Sequence, residues 1–145
     1  MSAERATYRA SVYAILEKDG KILMLRRYNT GWSDGKYTLP SGHVDADEST
    51  LEAVLRELFE EVGVEAQPDD AEFVHVMHRI GDPSYFDFFY RINKWSGEPR
   101  IMEIDKCDGL LWIDINNPDT IPVLECVKFA LEHIANGIMI SSQKR

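Results

Sequence analysis

A mixed β-sheet enclosed between helices, in the α/β class, is the fold this sequence predicts. Three observations lead to it. Most patterned segments have the β-branched and aromatic content of strands. One strongly amphipathic helix is embedded among them, and a second helix follows the last of them. Strands and helices so arranged bury their apolar faces as layers. The chain has 145 residues, 44% of them apolar and 28% charged, enough to bury a core of its own. No internal repeat, low-complexity tract or flexible linker interrupts it, so residues 1–145 are expected to form a single domain.

Residues 8–17 mix β-branched and aromatic side chains, Lys18-Asp19-Gly20-Lys21 supplies a turn, and residues 21–28 continue with Ile22, Leu23, Met24 and Leu25. Two strands about an Asp-Gly turn predict a β-hairpin. The polar, Gly-containing stretch 29–36 is a loop, and Tyr37-Thr38-Leu39-Pro40 is a short extended piece. Residues 47–62 form the clearest helix. Leu51, Val54, Leu55, Leu58 and Val62 recur at helical spacing, and Gly63 is a natural stop. Residues 73–80 and 85–95 are strands flanking Gly81-Asp82-Pro83-Ser84, and 110–115 is a further strand. On the second of these, alternation puts Tyr85, Asp87, Phe89 and Arg91 on one face and Phe86, Phe88 and Tyr90 on the other. The face with the polar groups is expected to line a pocket and the other to be core. His75 and His78, three apart in a strand, fall on opposite faces and make no metal pair. The last helix starts about Pro122, runs to Ala135 and is closed by Asn136-Gly137.

Charge narrows the function. The chain has 25 Asp and Glu against 16 Lys and Arg, a net charge of -9. Phosphate backbones and anionic lipid repel so acidic a surface. Duplex nucleic acid and membranes are therefore expected to be excluded as partners. Two cysteines, Cys107 and Cys126, are too few for a disulfide framework and lack metal-ligand spacing. No apolar stretch nears the ~20 residues that span a bilayer, and residues 1–10 lack the apolar core of a secretory signal. A cytoplasmic protein with free thiols is the expectation.

Residues 42–64 carry the chemistry. With Glu48 at zero on a helical wheel, Glu60 falls near ~120°, Glu57 near ~180° and Glu61 near ~220°. The apolar stripe lies between about 280° and 340°, so three carboxylates share a face of their own. Glu57 repels Glu60 and Glu61 at i,i+3 and i,i+4, and Arg56 is the only base in the helix. Such a face is either a solvated acidic surface or the oxygen-donor set of a hard divalent cation.

The spacing decides between them. Five residues separate Gly42 from Glu48, seven separate Glu48 from Arg56, and Arg56-Glu57-Leu58-Phe59-Glu60-Glu61-Val62-Gly63-Val64 follows. This resembles the signature of the Nudix hydrolases, G-x5-E-x7-R-E-U-x-E-E-x-G-U with U aliphatic, at all nine constrained positions. Leu39-Pro40-Ser41-Gly42-His43 is similar to the family's usual lead-in, and Leu110-Leu111-Trp112-Ile113 to a strand near its C-terminus. The resemblance implies an α/β/α sandwich and hydrolysis of a nucleoside diphosphate linked to another group, with Mg²⁺ or Mn²⁺ as cofactor. Carried over by position, Glu57, Glu60 and Glu61 are the implied metal ligands, joined by a backbone carbonyl at Ser41 or Gly42. Arg56 is implied to pair with Glu48 and steady Glu57. The base that deprotonates the attacking water is a helix glutamate in some members and a loop carboxylate in others. Glu57 is the first candidate here, and Glu103, in the loop 97–103, the second.

Arg26 and Arg27 end an apolar strand, where a guanidinium can grip phosphate oxygens bidentately. Alternation lets only one of the two face the ligand. His43 and Asp87 complete the candidate substrate contacts. Trp32, Tyr37, Phe86, Phe88, Trp95 and Trp112 are aromatics that either stack on a base or pack in the core. Markers of the ADP-ribose and dinucleoside polyphosphate subfamilies have no counterpart at Arg79-Ile80-Gly81. The compact form is similar to nucleoside triphosphate pyrophosphatases, which release NMP and pyrophosphate. Nucleotide-sugar or nucleotide-alcohol hydrolysis, and nucleotide binding without hydrolysis, are the alternatives. A small nucleotide is the expected partner, and a homodimer is left open.

Overall fold

The computed structural model describes residues 3–144. Strands β1 (Arg9–Lys18) and β2 (Lys21–Arg27) form the predicted hairpin, pairing antiparallel from Lys18 and Lys21. Asp19 (φ 54°) and Gly20 (φ 75°) take the left-handed conformations that a two-residue turn of this kind requires. Beyond Glu17, β1 leaves β2 and becomes the middle of a larger sheet. It lies between β4 (Ser41–His43), antiparallel, and β6 (Tyr85–Ile92), parallel. β5 (Ala71–Ile80) pairs antiparallel with β6, and β8 (Ile140–Lys144) closes that edge parallel to β5. β2 carries β3 (Tyr37–Thr38) and β7 (Cys107–Asp114) on the other wing. The order β3-β2-β1-β6-β5-β8, with pairs of both senses, makes this a mixed sheet.

Layering follows from β1, which is apolar on both faces, as a central strand should be. Val12, Ala14 and Leu16 pack with Val54, Leu58 and Val62 of helix α1 (Thr50–Val62). Tyr13 and Ile15 pack on the opposite side with Val127 and Ala130 of helix α2 (Glu125–Ala135). Each fully buried Val or Leu contributes about 1.5–3 kcal/mol. The result is the α/β/α sandwich. No helix among the described residues is long and apolar enough to cross a membrane.

Several boundaries differ from the sequence reading, each for a physical reason. Helix α1 begins at Thr50 rather than 47, because Ser49 and Glu52 form a reciprocal cap and Asp47 sits at φ 64°. Glu48 therefore precedes the helix, and a wheel that starts there does not describe it. Helix α2 begins at Glu125 rather than near Pro122. The residues before it run extended against Tyr37, whose N–H donates to Pro122 O (2.8 Å) and whose carbonyl accepts from Leu124 N (2.9 Å). β6 stops at Ile92, short of Trp95, as the chain turns to pair Ser96 with Glu65. β4 and β8 have no counterpart in the sequence reading, being short and rich in Ser, Gly, Gln and Lys. The face of β6 that holds Asp87 and Phe89 lines cavities at its ends, through Tyr85 and Arg91, but is closed in the middle. Both residues are fully buried, Phe89 in the cluster beneath α2.

Candidate active site

Helix α1 approaches β4 closely because Gly42 has no side chain. A Cβ at Gly42 would lie 2.0 Å from Glu57 Cδ and 2.2 and 2.5 Å from its oxygens. The glycine supplies room, and the Glu57 carboxylate occupies it. Arg56 fixes the surroundings. Its Nε and Nη2 donate to the two oxygens of Glu48 (2.7 and 2.9 Å), and Nη2 also donates to His43 O (3.0 Å). Nη1 donates to Glu57 (2.8 Å) and to Glu60 (3.2 Å). One planar guanidinium thus joins the loop before the helix, strand β4 and the helix itself. Its hydrogen bonds, helped by one from Asp45 N, lower the Glu48 carboxyl to about 2.

A second segment hangs from the far end of α1. The last carbonyls of a helix lack partners within it. Here Glu61 O accepts from Met102 N (3.1 Å) and Val62 O from Arg100 N (3.0 Å). Gly63 ends the helix at φ 71°, and a Cβ there would lie 3.0 Å from Arg100 Cζ. Pinned in this way, the loop brings Glu103 to a cavity of about 550 Å³ that Glu57 and Glu61 also line.

The acids of this cavity strain one another electrostatically. Burial pushes the Glu61 carboxyl well above the usual carboxylate range, and Glu57 and Glu103 push it the same way, against a hydrogen bond from Ser41 N (3.3 Å). Burial also raises Glu57; Arg56 opposes this, while Glu60 and Glu103 add to it. Such a group is relieved by a proton or by a cation. Among the described residues no three acidic, imidazole or thiol side chains already converge on one point. The donors are nonetheless all carboxylate oxygens, the type that a hard divalent cation takes. Glu57 and Glu61 therefore fit such an ion in kind and in charge, with Glu103 on the same cavity wall. Glu60 is half exposed, held by Arg56, and is not on the wall of this cavity.

Cations line the same cavity. Arg26, Arg27 and Lys106 are on its wall with Ser41 and His43. The β2–β7 register shifts between Arg26 and Arg27, with Asp108 the extra residue, so strict alternation lapses and both arginines line the cavity. Arg26 pairs with Asp108. Arg27 donates to Trp32 O and Thr30 Oγ1 (both 2.8 Å) and sits over the Trp32 ring at 4.9 Å. Thr38 Oγ1, also on the wall, is buried without a partner among the described residues, a group that bound water or ligand would satisfy. A second lobe of about 350 Å³ shares Arg27, Ser41, Gly42 and His43 and adds Trp32, Arg79 and Tyr85.

Comparison with known proteins agrees with this geometry. A family model described as the NUDIX domain matches residues 6–125. The chain belongs to the Nudix family. It is 46% identical over 55 residues to the CTP pyrophosphohydrolase of Escherichia coli K12, a stretch covering 38% of this chain and 41% of that protein. It is 29% identical over 100 residues to phosphatase NudJ of the same strain, covering 67% of this chain and 64% of that protein. The match thus spans less than two thirds of either relative. The crystal structure of a MutT NUDIX hydrolase from Burkholderia pseudomallei is similar at a TM-score of 0.79 and 29% identity, over 87% of this chain and 97% of that one. The sandwich is therefore a Nudix fold.

Within the Nudix box, the fold brings Glu57 and Glu61 together and adds Glu103 from outside it, while Glu60 faces Arg56 instead. The pairing of Arg56 with Glu48 and Glu57 is present. The His43 carbonyl is taken by Arg56, and its ring meets the Tyr85 ring edge-on at 5.9 Å. Asp87 is a correction, since it is fully buried and cannot touch a ligand. Its two oxygens accept from Arg79 Nε (2.8 Å) and Nη2 (3.2 Å), and Arg79 is the member of the pair that reaches the cleft. Sequence reasoning passed over Arg79. The usable signal was two opposite charges flanking a hairpin turn, where the pairs Arg79–Tyr85 and Met77–Asp87 make them diagonal neighbours. Lys106 and Thr38 left no comparable signal.

Proposed function

We propose that this Nudix protein is a divalent-cation-dependent pyrophosphohydrolase acting on a nucleoside diphosphate derivative, foremost a nucleoside triphosphate cleaved to NMP and pyrophosphate. One observation carries the reading: a single cavity is lined by Glu57, Glu61 and Glu103 together with Arg26, Arg27 and Lys106. Arginines alone would bind a polyphosphate, and carboxylates alone would repel it. Both together suit binding and hydrolysis. The names of the two relatives, a CTP pyrophosphohydrolase and a phosphatase, support the same chemistry.

Glu57 and Glu61, with Glu60 beside them and a carbonyl of Ser41 or Gly42, would hold Mg²⁺ or Mn²⁺. Such an ion withdraws charge from phosphate oxygens and eases the ionisation of water. Arg26, Arg27 and Lys106 bind and orient the phosphates. Arg56 keeps the Glu57 oxygens in place. Glu103 takes the proton of the attacking water. Among the described residues it has no arginine or backbone donor on its carboxylate, only Lys106 at 3.7 Å. The water oxygen forms the new P–O bond as the bridging P–O bond breaks, and its electron pair leaves with pyrophosphate.

Turnover of Glu61→Gln and Glu103→Gln on nucleotides tests this scheme. Glu103→Gln is expected to lose about 10²–10⁴-fold, the usual worth of a general base, and Glu61→Gln at least as much. Near-normal activity in Glu61→Gln would sink the scheme. Normal activity in Glu103→Gln would move the base to Glu57.

A further inference from the structure

The second lobe of the cleft has a charged wall that the hydrolytic chemistry does not use. Arg79 is 7% exposed and Asp87 is 0% exposed. The lateral edge of the Arg79 guanidinium, Nε and Nη2, is spent on the two Asp87 oxygens (2.8 and 3.2 Å), and the Tyr85 ring covers its face at 4.3 Å. The remaining edge carries one N–H from each Nη, parallel to one another. No acceptor for that edge occurs among the described residues. Arg79 lines the lobe beside Trp32 and Tyr85, next to the Arg27, Gly42 and His43 shared with the catalytic cavity.

A phosphate would find the Arg79 charge already matched by buried Asp87, whereas Arg27, shared with the neighbouring cavity, is held by the neutral Trp32 O and Thr30 Oγ1. A flat neutral ring with two adjacent acceptors suits a parallel pair of donors between aromatic side chains. We propose that this lobe is a nucleobase subsite in which Arg79 selects a base presenting two adjacent acceptors, cytosine through N3 and O2 or guanine through O6 and N7. The inference rests on the nucleotide reading of the site. Adenine sets an amino group beside its ring acceptors, and uracil an N–H between its carbonyls, so neither satisfies both donors. Asp87 is the positioning residue, which aims the fork and cancels its charge.

The test is kcat/KM for CTP, GTP, UTP and ATP with the wild type and with Arg79→Lys, which keeps a cation on Asp87 but removes the parallel pair. CTP or GTP is expected to be preferred over UTP and ATP by about tenfold to a hundredfold. Arg79→Lys should lower the favoured nucleotide by that factor and leave the others nearly unchanged. Equal values for all four in the wild type, or an equal loss on all four in Arg79→Lys, would overturn the proposal. Should Arg79→Lys fail to fold, the double variant Arg79→Gln/Asp87→Asn leaves no buried charge unpaired and carries the same expectation. Calorimetric binding of CMP, GMP, UMP and AMP separates this inference from the hydrolase reading. Arg79-dependent preference for CMP or GMP, with no triphosphate cleaved, keeps the subsite and removes the hydrolase. Cleavage of all four triphosphates alike, with no preference among the monophosphates, does the reverse.

Discussion

Gly42 shows how one missing side chain places a carboxylate on the cavity wall. Gly42→Ala would put a methyl 2.0 Å from Glu57 Cδ, so the carboxylate must leave its seat. We expect kcat to fall by about 10²-fold, the cost of misplacing a reacting group by ~1 Å, with circular dichroism unchanged. Glu61 is a buried carboxyl that works against stability when charged. Its folded carboxyl is raised, so the folded chain binds more protons than the unfolded one above the ordinary pKa of 4.5. Cation-free stability therefore falls as pH rises from there through the raised value. Glu61→Gln should remove that fall and raise the cation-free Tm at pH 7, while activity is lost. Glu48 has the opposite sign: lowered from 4.5 to about 2, its contribution is complete above 4.5 and disappears as pH falls toward 2. Thermal melts of both chains against pH in EDTA would show both trends. At this scale the box residues were legible because their spacing is local. Glu103 was legible only as a second candidate for the base, and Asp87 read as a substrate contact, since in sequence both are simply acids in or beside strands. Only the fold puts one on the cavity wall and the other under Arg79.

Among the elements, α1 and the loop 96–106 form one device, since that loop satisfies the carbonyls at the end of the helix. Gly63→Ala is expected to cost about 1–2 kcal/mol for its left-handed backbone. It should also lower kcat more than it changes KM, because the crowded neighbour is Arg100 on the segment that carries Glu103. Steady-state kinetics and a denaturant melt would read the two effects separately. β8 is held differently. Buried His75 has Nδ1 2.7 Å from Ile138 O and Nε2 2.7 Å from Ser141 Oγ. Burial lowers its pKa from 6.5, so its contribution is complete above 6.5 and is lost as pH drops through the folded value. The protection of the β8 amides against hydrogen exchange, taken relative to their intrinsic rates, should fall below pH 6.5 before that of β1 and β6. The hairpin and α1 were readable because turn chemistry and apolar period act locally. β4 and β8 exist only through distant partners, β1 and β5, and carry no pattern of their own.

For the molecule as a whole, the three-layer architecture was legible because one helix is embedded among the strand segments and a second follows them, while β1 is apolar on both faces and takes one helix on each. The charge was half legible. A net charge of -9 argues against polyanions, yet the cleft collects Arg26, Arg27, Arg79 and Lys106, drawn from separate strands and loops, beside its carboxylates. A cation bound by those carboxylates would complete a local field opposite to that of the surface. The most direct measurement is the release of NMP and pyrophosphate from nucleoside triphosphates with and without a divalent cation. Both products should appear with Mg²⁺ or Mn²⁺, vanish in EDTA and be absent with Glu61→Gln. A folded wild-type protein that binds nucleotide and cation yet cleaves no nucleoside diphosphate derivative would contradict the account.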